Sequence, residues 1–178
     1  AQAHSNRGNA LRDLGKLDDA ITSFHKAVSL KPDYAEPHNN LGNALQELGK
    51  PEEAVASYRR AVGLKPGLIE AHSNLGLTLH ALGKFEDAAA SHHKALDLKP
   101  DCADAHNNLG NALRALSKPE EAIASYRKAL SLDPEHAMAH YNLGNALQEL
   151  GSLEDETNDI SDVIRFLPDG ICQLRRRN

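Results

Sequence analysis

The chain has few of the large aromatic side chains that fill most protein cores. Aromatic residues make up only 4% of its 178 residues, and tryptophan is absent. Alanine and leucine carry most of the apolar content instead. Small residues at regular spacing let helices pack closely over a thin, continuous core, in which large rings are not needed. The composition therefore favours stacked helices over a single compact domain.

Cysteine, basic charge and long apolar runs are also scarce. The two cysteines, Cys102 and Cys172, lie far apart in sequence and form neither a disulfide framework nor a zinc knuckle. The net charge of −5 argues against general nucleic-acid binding, which needs a basic surface. No apolar run is long enough for a membrane span, and the first residues lack the apolar core of a signal peptide. We therefore expect a cytoplasmic protein with no nucleic-acid or membrane partner.

Repetition is the dominant feature of the sequence, with a period of 34 residues. Histidine, asparagine, glycine and proline recur in fixed phase, at His4, His38, His72, His106 and His140, at Asn6, Asn40, Asn74, Asn108 and Asn142, at Gly8, Gly42, Gly76, Gly110 and Gly144, and at Pro32, Pro66, Pro100, Pro134 and Pro168. Such self-similarity is the signature of a solenoid. The units are residues 1–34, 35–68, 69–102, 103–136 and 137–170, followed by a short basic tail, 171–178, with Arg175, Arg176 and Arg177. Because unit one begins at Ala1 rather than at a methionine, we expect a segment cut in register from a longer protein.

Each unit has the pattern of a helical hairpin. In unit two, Leu41 and Leu45 lie at helical spacing, and Gly49 suits the left-handed turn that ends a helix. Pro51 then fits the first turn of a second helix, which Pro66 ends. We call the two helices of a unit A and B. Neither helix buries its apolar stripe alone, so successive hairpins must stack.

The pattern resembles the tetratricopeptide repeat family. Units two and four carry its residues at Leu41, Gly42, Leu45, Ala54, Tyr58, Ala61 and Pro66, and at Leu109, Gly110, Leu113, Ala122, Tyr126, Ala129 and Pro134. The resemblance implies an all-α, right-handed superhelical solenoid of five helix-turn-helix repeats. The family's tryptophan is replaced by histidine at the fourth place of each unit.

Three units depart from the pattern. In unit one, Arg7 replaces a leucine, and in unit three His92 replaces the tyrosine or phenylalanine of helix B. In unit five, Glu156 stands where the other units have alanine, and a narrow apolar stripe, Ile160, Val163, Ile164 and Leu167, remains among acidic residues. Because terminal repeats need a polar outer face, we predict that unit five is a degenerate cap.

The histidine series does not predict a metal centre. Neighbouring helices pack about 8–10 Å apart, whereas zinc ligands must lie within roughly 4 Å of one another. We interpret these rings as half-buried packing groups and predict no metal or other cofactor. The chain also lacks a nucleophile–base pair and a phosphate-binding glycine loop, so we expect no enzymatic activity.

The asparagines of helix A are the leading candidate site. They are Asn6, Asn9, Asn40, Asn43, Asn74, Asn108, Asn111, Asn142 and Asn145, with Leu77 replacing the expected asparagine in unit three. Asparagine costs up to about 0.7 kcal/mol relative to alanine inside a helix, so the repetition requires a reason. Recent duplication of one unit would repeat the amides without a present use. One interpretation that gives them a use is that they bond to one another or to neighbouring backbone. The other is that they pair with both groups of a guest peptide bond, about once every three residues of an extended chain.

The resemblance supports the second interpretation. In the tetratricopeptide family helix A lines a concave groove for extended peptides, and in O-linked N-acetylglucosamine transferase-like proteins asparagine at this phase forms such a ladder. The family's carboxylate clamp is not supported, because Ser5, Asn39, Ser73, Asn107 and Tyr141 stand where it needs basic residues. We expect a protein-interaction scaffold that binds an extended or disordered segment. The alternatives are the substrate-recognition arm of a larger enzyme, such as a glycosyltransferase, and a scaffold that self-assembles end to end.

Overall fold

The computed structural model describes the backbone of residues 1–165 and the side chains of residues 1–151. Over this range it contains nine α-helices and no strand: α1 (Gln2–Asp13), α2 (Leu17–Leu30), α3 (Ala35–Glu47), α4 (Pro51–Leu64), α5 (Ile69–Ala81), α6 (Phe85–Leu98), α7 (Ala103–Ala115), α8 (Pro119–Leu132) and α9 (Ala137–Arg165). Helices α1 to α8 form the first four predicted hairpins, and α9 begins with helix A of unit five. The predicted all-helical solenoid is confirmed. None of the described helices combines the length and the apolarity needed to cross a membrane.

The turn between helix A and helix B follows the predicted chemistry. Gly15, Gly49 and Gly83 adopt left-handed backbone conformations, with φ between 71° and 78°, directly after helix A. Pro51 then occupies the start of α4, and two acidic residues follow it in the first turn. The missing N–H of proline costs nothing at this position, and the acids face the positive end of the helix dipole. In unit four the left-handed residue is Ser117, with φ 57°.

The hairpins stack so that the A helices lie on the inner side of the curve. Within each unit helix A packs on helix B, and each helix B packs on the next helix A. Neighbouring A helices (α1, α3, α5, α7 and α9) also touch one another, whereas no two B helices do in the described part of the chain. Because the B helices are splayed apart, the stack curves around its A helices. We call the inner surface that they form the A-helix groove.

One ring per hairpin fills the space between helices A and B. In units one to four the ring of Phe24, Tyr58, His92 or Tyr126 on helix B lies directly over the glycine at the eighth place of helix A. A Cβ on Gly42 would come within 2.5 Å of Tyr58 Cε1, so only glycine allows this approach. We call each such site a glycine notch. Because one ring fills each notch and alanines pack around it, the fold needs few aromatic residues.

Unit five differs from the predicted hairpin, because α9 continues as one helix from Ala137 to Arg165. The backbone at Gly151 is helical and does not take the left-handed turn of the corresponding residues. A hairpin would also carry Glu156 to a place where Ala20, Ala54, Ala88 and Ala122 are fully buried, and burying an unpaired carboxylate is costly.

The last notch, at Gly144, is not filled by any described side chain. Gly144 is exposed, and no side chain of residues 1–151 would contact a Cβ placed there. Leu167 of the predicted apolar stripe and the basic tail 171–178 lie outside the described residues, so the capping role of unit five stays a prediction.

Candidate functional site

The predicted asparagines lie on the A helices, where neighbouring units meet. Asn6 is exposed and Asn142 is buried, whereas the other seven are half-buried. At the first junction, Asn40 Nδ2 donates to Asn9 Oδ1 at 3.1 Å. The side chain of Asn6 accepts a bond from Gln2 Nε2 within α1 at 2.8 Å.

At the junction between units two and three, one amide makes two hydrogen bonds. Asn74 Nδ2 donates to Asn43 Oδ1 at 3.0 Å and lies 3.3 Å from Asn39 Oδ1. At the last junction Asn142 Nδ2 donates to Asn107 Oδ1 at 2.9 Å. The amides therefore link successive A helices, as the first interpretation of the sequence proposed. We call this series of bonds the Asn ladder.

Asn39 and Asn107, at the fifth place of helix A, were not predicted as members of the ladder. Both are buried, and each offers its Oδ1 to the next unit. Their signal in the sequence is asparagine at this place in units two and four only, where the flanking units have serine or tyrosine. The bond spans 35 residues, so it depends on the offset between helices rather than on spacing within one helix.

Two tyrosines of helix B extend through their notches to the ladder. The Tyr58 hydroxyl lies 2.8 Å from Asn43 Oδ1 and 3.0 Å from Gln46 Oε1. The Tyr126 hydroxyl donates to Asn111 Oδ1 at 2.8 Å. Burial raises the pKa of Tyr58 and raises the pKa of Tyr126 to about 12, so both phenols keep the proton that they donate.

The ladder is interrupted between units three and four. Leu77 and Ser73 stand where unit two offers amide oxygens, so Asn108 Nδ2 makes no hydrogen bond to any described residue. Asn108 Oδ1 accepts only a long bond, 3.4 Å, from Asn107 Nδ2. Leu77 is 43% exposed. In unit three His92 also replaces the tyrosine, and neither of its ring nitrogens has a partner in the described part.

The histidines at the fourth place hold the loop before helix A. In units two to five this ring donates its Nε2–H to the carbonyl of the proline six residues earlier. The Nε2–O distances are 3.3 Å for His38 and Pro32, 2.9 Å for His72 and Pro66, 2.9 Å for His106 and Pro100, and 2.8 Å for His140 and Pro134. The sequence signal is the fixed proline–histidine spacing, which the packing interpretation overlooked. Residues 1–151 contain no cluster of three potential metal ligands.

The charges of the groove pair across the junctions. Arg12 Nε lies 3.8 Å from Glu47 Oε1, and an Arg114 terminal nitrogen lies 3.8 Å from Glu149 Oε1. These pairs are partly exposed and add little stability, but they cancel two cations that would attract an acidic ligand. The groove therefore has no strong preference for either sign of charge.

The repeated hairpins match a protein-family model described as TPR repeat, over residues 8–49, 47–83, 76–117 and 110–151. The chain belongs to the tetratricopeptide repeat (TPR) family. Proteins of this family serve as protein-interaction scaffolds. The matched segments stop where α9 departs from the hairpin pattern.

Solved structures share the fold of this TPR array. A crystal structure of MamA has a TM-score of 0.78 at 25% identity and covers 86% of this chain and 96% of that one. A structure of MamA from Desulfovibrio magneticus RS-1 has a TM-score of 0.80 at 22% identity, covering 92% and 93%. The first TPR of Spaghetti (RPAP3), bound to the HSP90 peptide SRMEEVD, has a TM-score of 0.64 at 28% identity, covering 66% and 93%. Among curated proteins no significant match was found.

Proposed function

We propose that this TPR array is a protein-interaction scaffold that binds an extended or disordered peptide segment along the A-helix groove. The observation that carries the proposal is the row of half-buried amides, several of which keep a hydrogen-bonding atom unused. Within the described part, Asn74 Oδ1, Asn108 Nδ2 and the whole amide of Asn145 make no bond. Such groups can donate to a peptide carbonyl or accept from a peptide N–H.

The spacing of the junctions suits an extended guest chain. Neighbouring helices lie about 8–10 Å apart, and a strand rises about 3.3 Å per residue. One amide is therefore available for about every three residues of ligand. Since these bonds involve only the ligand backbone, binding tolerates varied side chains. The peptide bound to the Spaghetti TPR supports a peptide as the class of ligand.

Binding to a peptide array tests the proposal. The wild-type protein is compared with a triple variant, Asn74→Ala, Asn108→Ala and Asn145→Ala. A matched control changes three exposed hydroxyls of the B helices, Thr22→Ala, Ser29→Ala and Ser131→Ala. We expect the control to bind like the wild type and the asparagine variant to lose most of its binding. Equal binding by all three proteins would dismiss the amides as the binding groups, and a wild type that binds no peptide would dismiss the proposal.

Self-assembly is a second candidate function, favoured by exposed apolar side chains on α9. Met138 and Tyr141 on α9 are 58% and 65% exposed, beside the notch at Gly144, which no side chain of residues 1–151 fills. Exposed apolar groups of this kind favour contact with another chain. Light scattering over a range of protein concentrations tests it, because a mass that stays at that of one chain excludes self-assembly.

The other alternative, that the array is the substrate-recognition arm of a larger enzyme, has a separate test. A catalytic domain encoded in the same gene would support it. Loss of substrate turnover in the triple asparagine variant, with unchanged turnover of a small acceptor, would link the groove to recognition.

A further inference from the structure

We propose that the guest chain is held in a fixed register, set at the junction of units three and four. A backbone carbonyl of the guest accepts a hydrogen bond from Asn108 Nδ2, and an uncharged aliphatic side chain next to it packs on Leu77. The inference rests on the proposed function and adds a specificity that a uniform ladder of amides would lack.

The first argument is the unused donor of Asn108. At the other three junctions, the amide nitrogen at the same place, in Asn40, Asn74 or Asn142, already donates to an oxygen of the preceding unit. At this junction the half-buried Asn108 Nδ2 has no partner in the described part. A buried donor gains most from a new acceptor when it has none to give up. Among the amides at this place of the repeat, Asn108 therefore offers the guest backbone the strongest donor.

The second argument is the local loss of polarity. Leu77 is 43% exposed at a place where the other four units carry asparagine. Ala81 and Ala115 are exposed on the same two A helices, where the other units have Asp13, Glu47 and Glu149. This stretch therefore lacks the carboxylates found elsewhere in the groove. An aliphatic side chain gains from contact with Leu77, whereas a charged one would lose hydration without finding an opposite charge.

The third argument is that helix B of unit three has no group that could bond to an asparagine at position 77. In units two and four a phenol on helix B reaches the asparagine of helix A. In unit three His92 is too short to do so, and Leu77 replaces the acceptor. Two substitutions thus remove both members of one hydrogen bond and leave an apolar side chain facing the groove.

An array of unstructured twelve-residue peptides, scanned with leucine, serine and aspartate at each place, tests the register. The comparison uses the wild type and the double variant Leu77→Asn, His92→Tyr, which restores the polar pattern of unit two. Leu14→Asn, at an exposed leucine directly after α1, is the matched control. We expect the wild type and the control to select an aliphatic residue at one fixed place. The double variant should lose that selection and bind the selected peptides about tenfold more weakly.

Two comparisons separate the possible outcomes. If the wild type binds peptides but the double variant selects the same ones with the same affinity, the register is refuted and the proposed function stands. If the wild type binds no peptide, both fail. Should the double variant not fold, Leu77→Ala carries the test. A second readout is the side-chain NH₂ resonance of Asn108, which should shift on peptide binding more than that of Asn40, and an equal or smaller shift would refute the register.

Discussion

The imidazole of His92 lies in the notch over Gly76, at a distance where a Cβ on the glycine would come within 2.6 Å of the ring. The ring is 1% exposed and has no hydrogen-bond partner in the described part of the chain. Burial, with smaller contributions from His80 and His93, lowers the pKa of His92 to about 4. A neutral imidazole fits the notch, whereas a charged one would lose its hydration.

The first prediction follows from this pKa. The folded state favours neutral His92, while the unfolded chain binds a proton near the ordinary histidine pKa of about 6.5. The stabilisation is therefore complete above pH 6.5 and is lost as the pH falls from 6.5 towards 4. The loss should approach about 3 kcal/mol, measured by urea unfolding across this range.

The double variant Leu77→Asn, His92→Tyr serves as the control for this prediction. It replaces the titrating ring with a tyrosine and its acceptor, as in unit two. The variant should lose most of the pH dependence between 6.5 and 4. An unchanged slope would assign the effect to other groups, such as His38, whose pKa is also lowered by burial.

The second prediction compares two glycines at the same place of their units. Gly42→Ala would drive a Cβ into the fully buried ring of Tyr58 and should destabilise the array by about 1–3 kcal/mol or more. Gly144→Ala meets no described side chain and replaces a helical glycine, so it should stabilise α9 by about 1 kcal/mol. Chemical unfolding measures both, and effects of the same sign would contradict the notch model.

The third prediction concerns the left-handed turn of unit four. Ser117 has φ 57°, a conformation that costs a non-glycine residue roughly 1–2 kcal/mol. Replacing Ser117 with glycine removes this cost, but the greater conformational entropy of glycine in the unfolded chain offsets part of the gain. Ser117→Gly should therefore stabilise the array by about 0.5–1 kcal/mol. The reverse change, Gly49→Ser, should destabilise it by a similar amount through the left-handed conformation alone. No steric clash adds to this cost, because a Cβ at Gly49 meets no described atom within 4 Å. A neutral result for both changes would show that the turn conformation carries no cost.

The fourth prediction separates the bonded and the unbonded amides. Asn74→Ala removes the donor to Asn43 and Asn39 and should cost about 1–2 kcal/mol in the free energy of unfolding. Asn108→Ala removes only a long bond and gains up to about 0.7 kcal/mol of helix propensity, so stability should hardly change. Thermal and urea unfolding of the two variants provide the measurement. Equal losses would mean that the ladder is not interrupted at Asn108.

The sequence predicted the hairpins because their determinants are local. Leu41 and Leu45 set the apolar stripe, and the left-handed turn that follows helix A favours a glycine such as Gly49. The same reasoning failed to anticipate the continuous α9. A hairpin there depends on whether a glutamate at position 156 is tolerated against helix A, which is a question of packing rather than of pattern.

The sequence alone does not predict the hydrogen-bond partners of the asparagines. Asn74 reaches Asn43 and Asn39, 31 and 35 residues earlier, because of the lateral offset between α3 and α5. A repeat pattern shows that the amides are aligned, but it does not show which of two neighbouring places on the next helix they bond to. The bonds between His72 and Pro66 and its equivalents depend in the same way on the path of a loop.

The notch at Gly144, which no side chain of residues 1–151 fills, makes the length of the array adjustable by engineering. Exchanging residues 151–166 for the sequence of residues 117–132 would bring a tyrosine sixteen positions after that glycine, the interval found in every completed hairpin. The graft would give the chain a fifth hairpin with a filled notch, onto which further repeats can be joined. Each added module would extend the track available to a bound strand by about three residues.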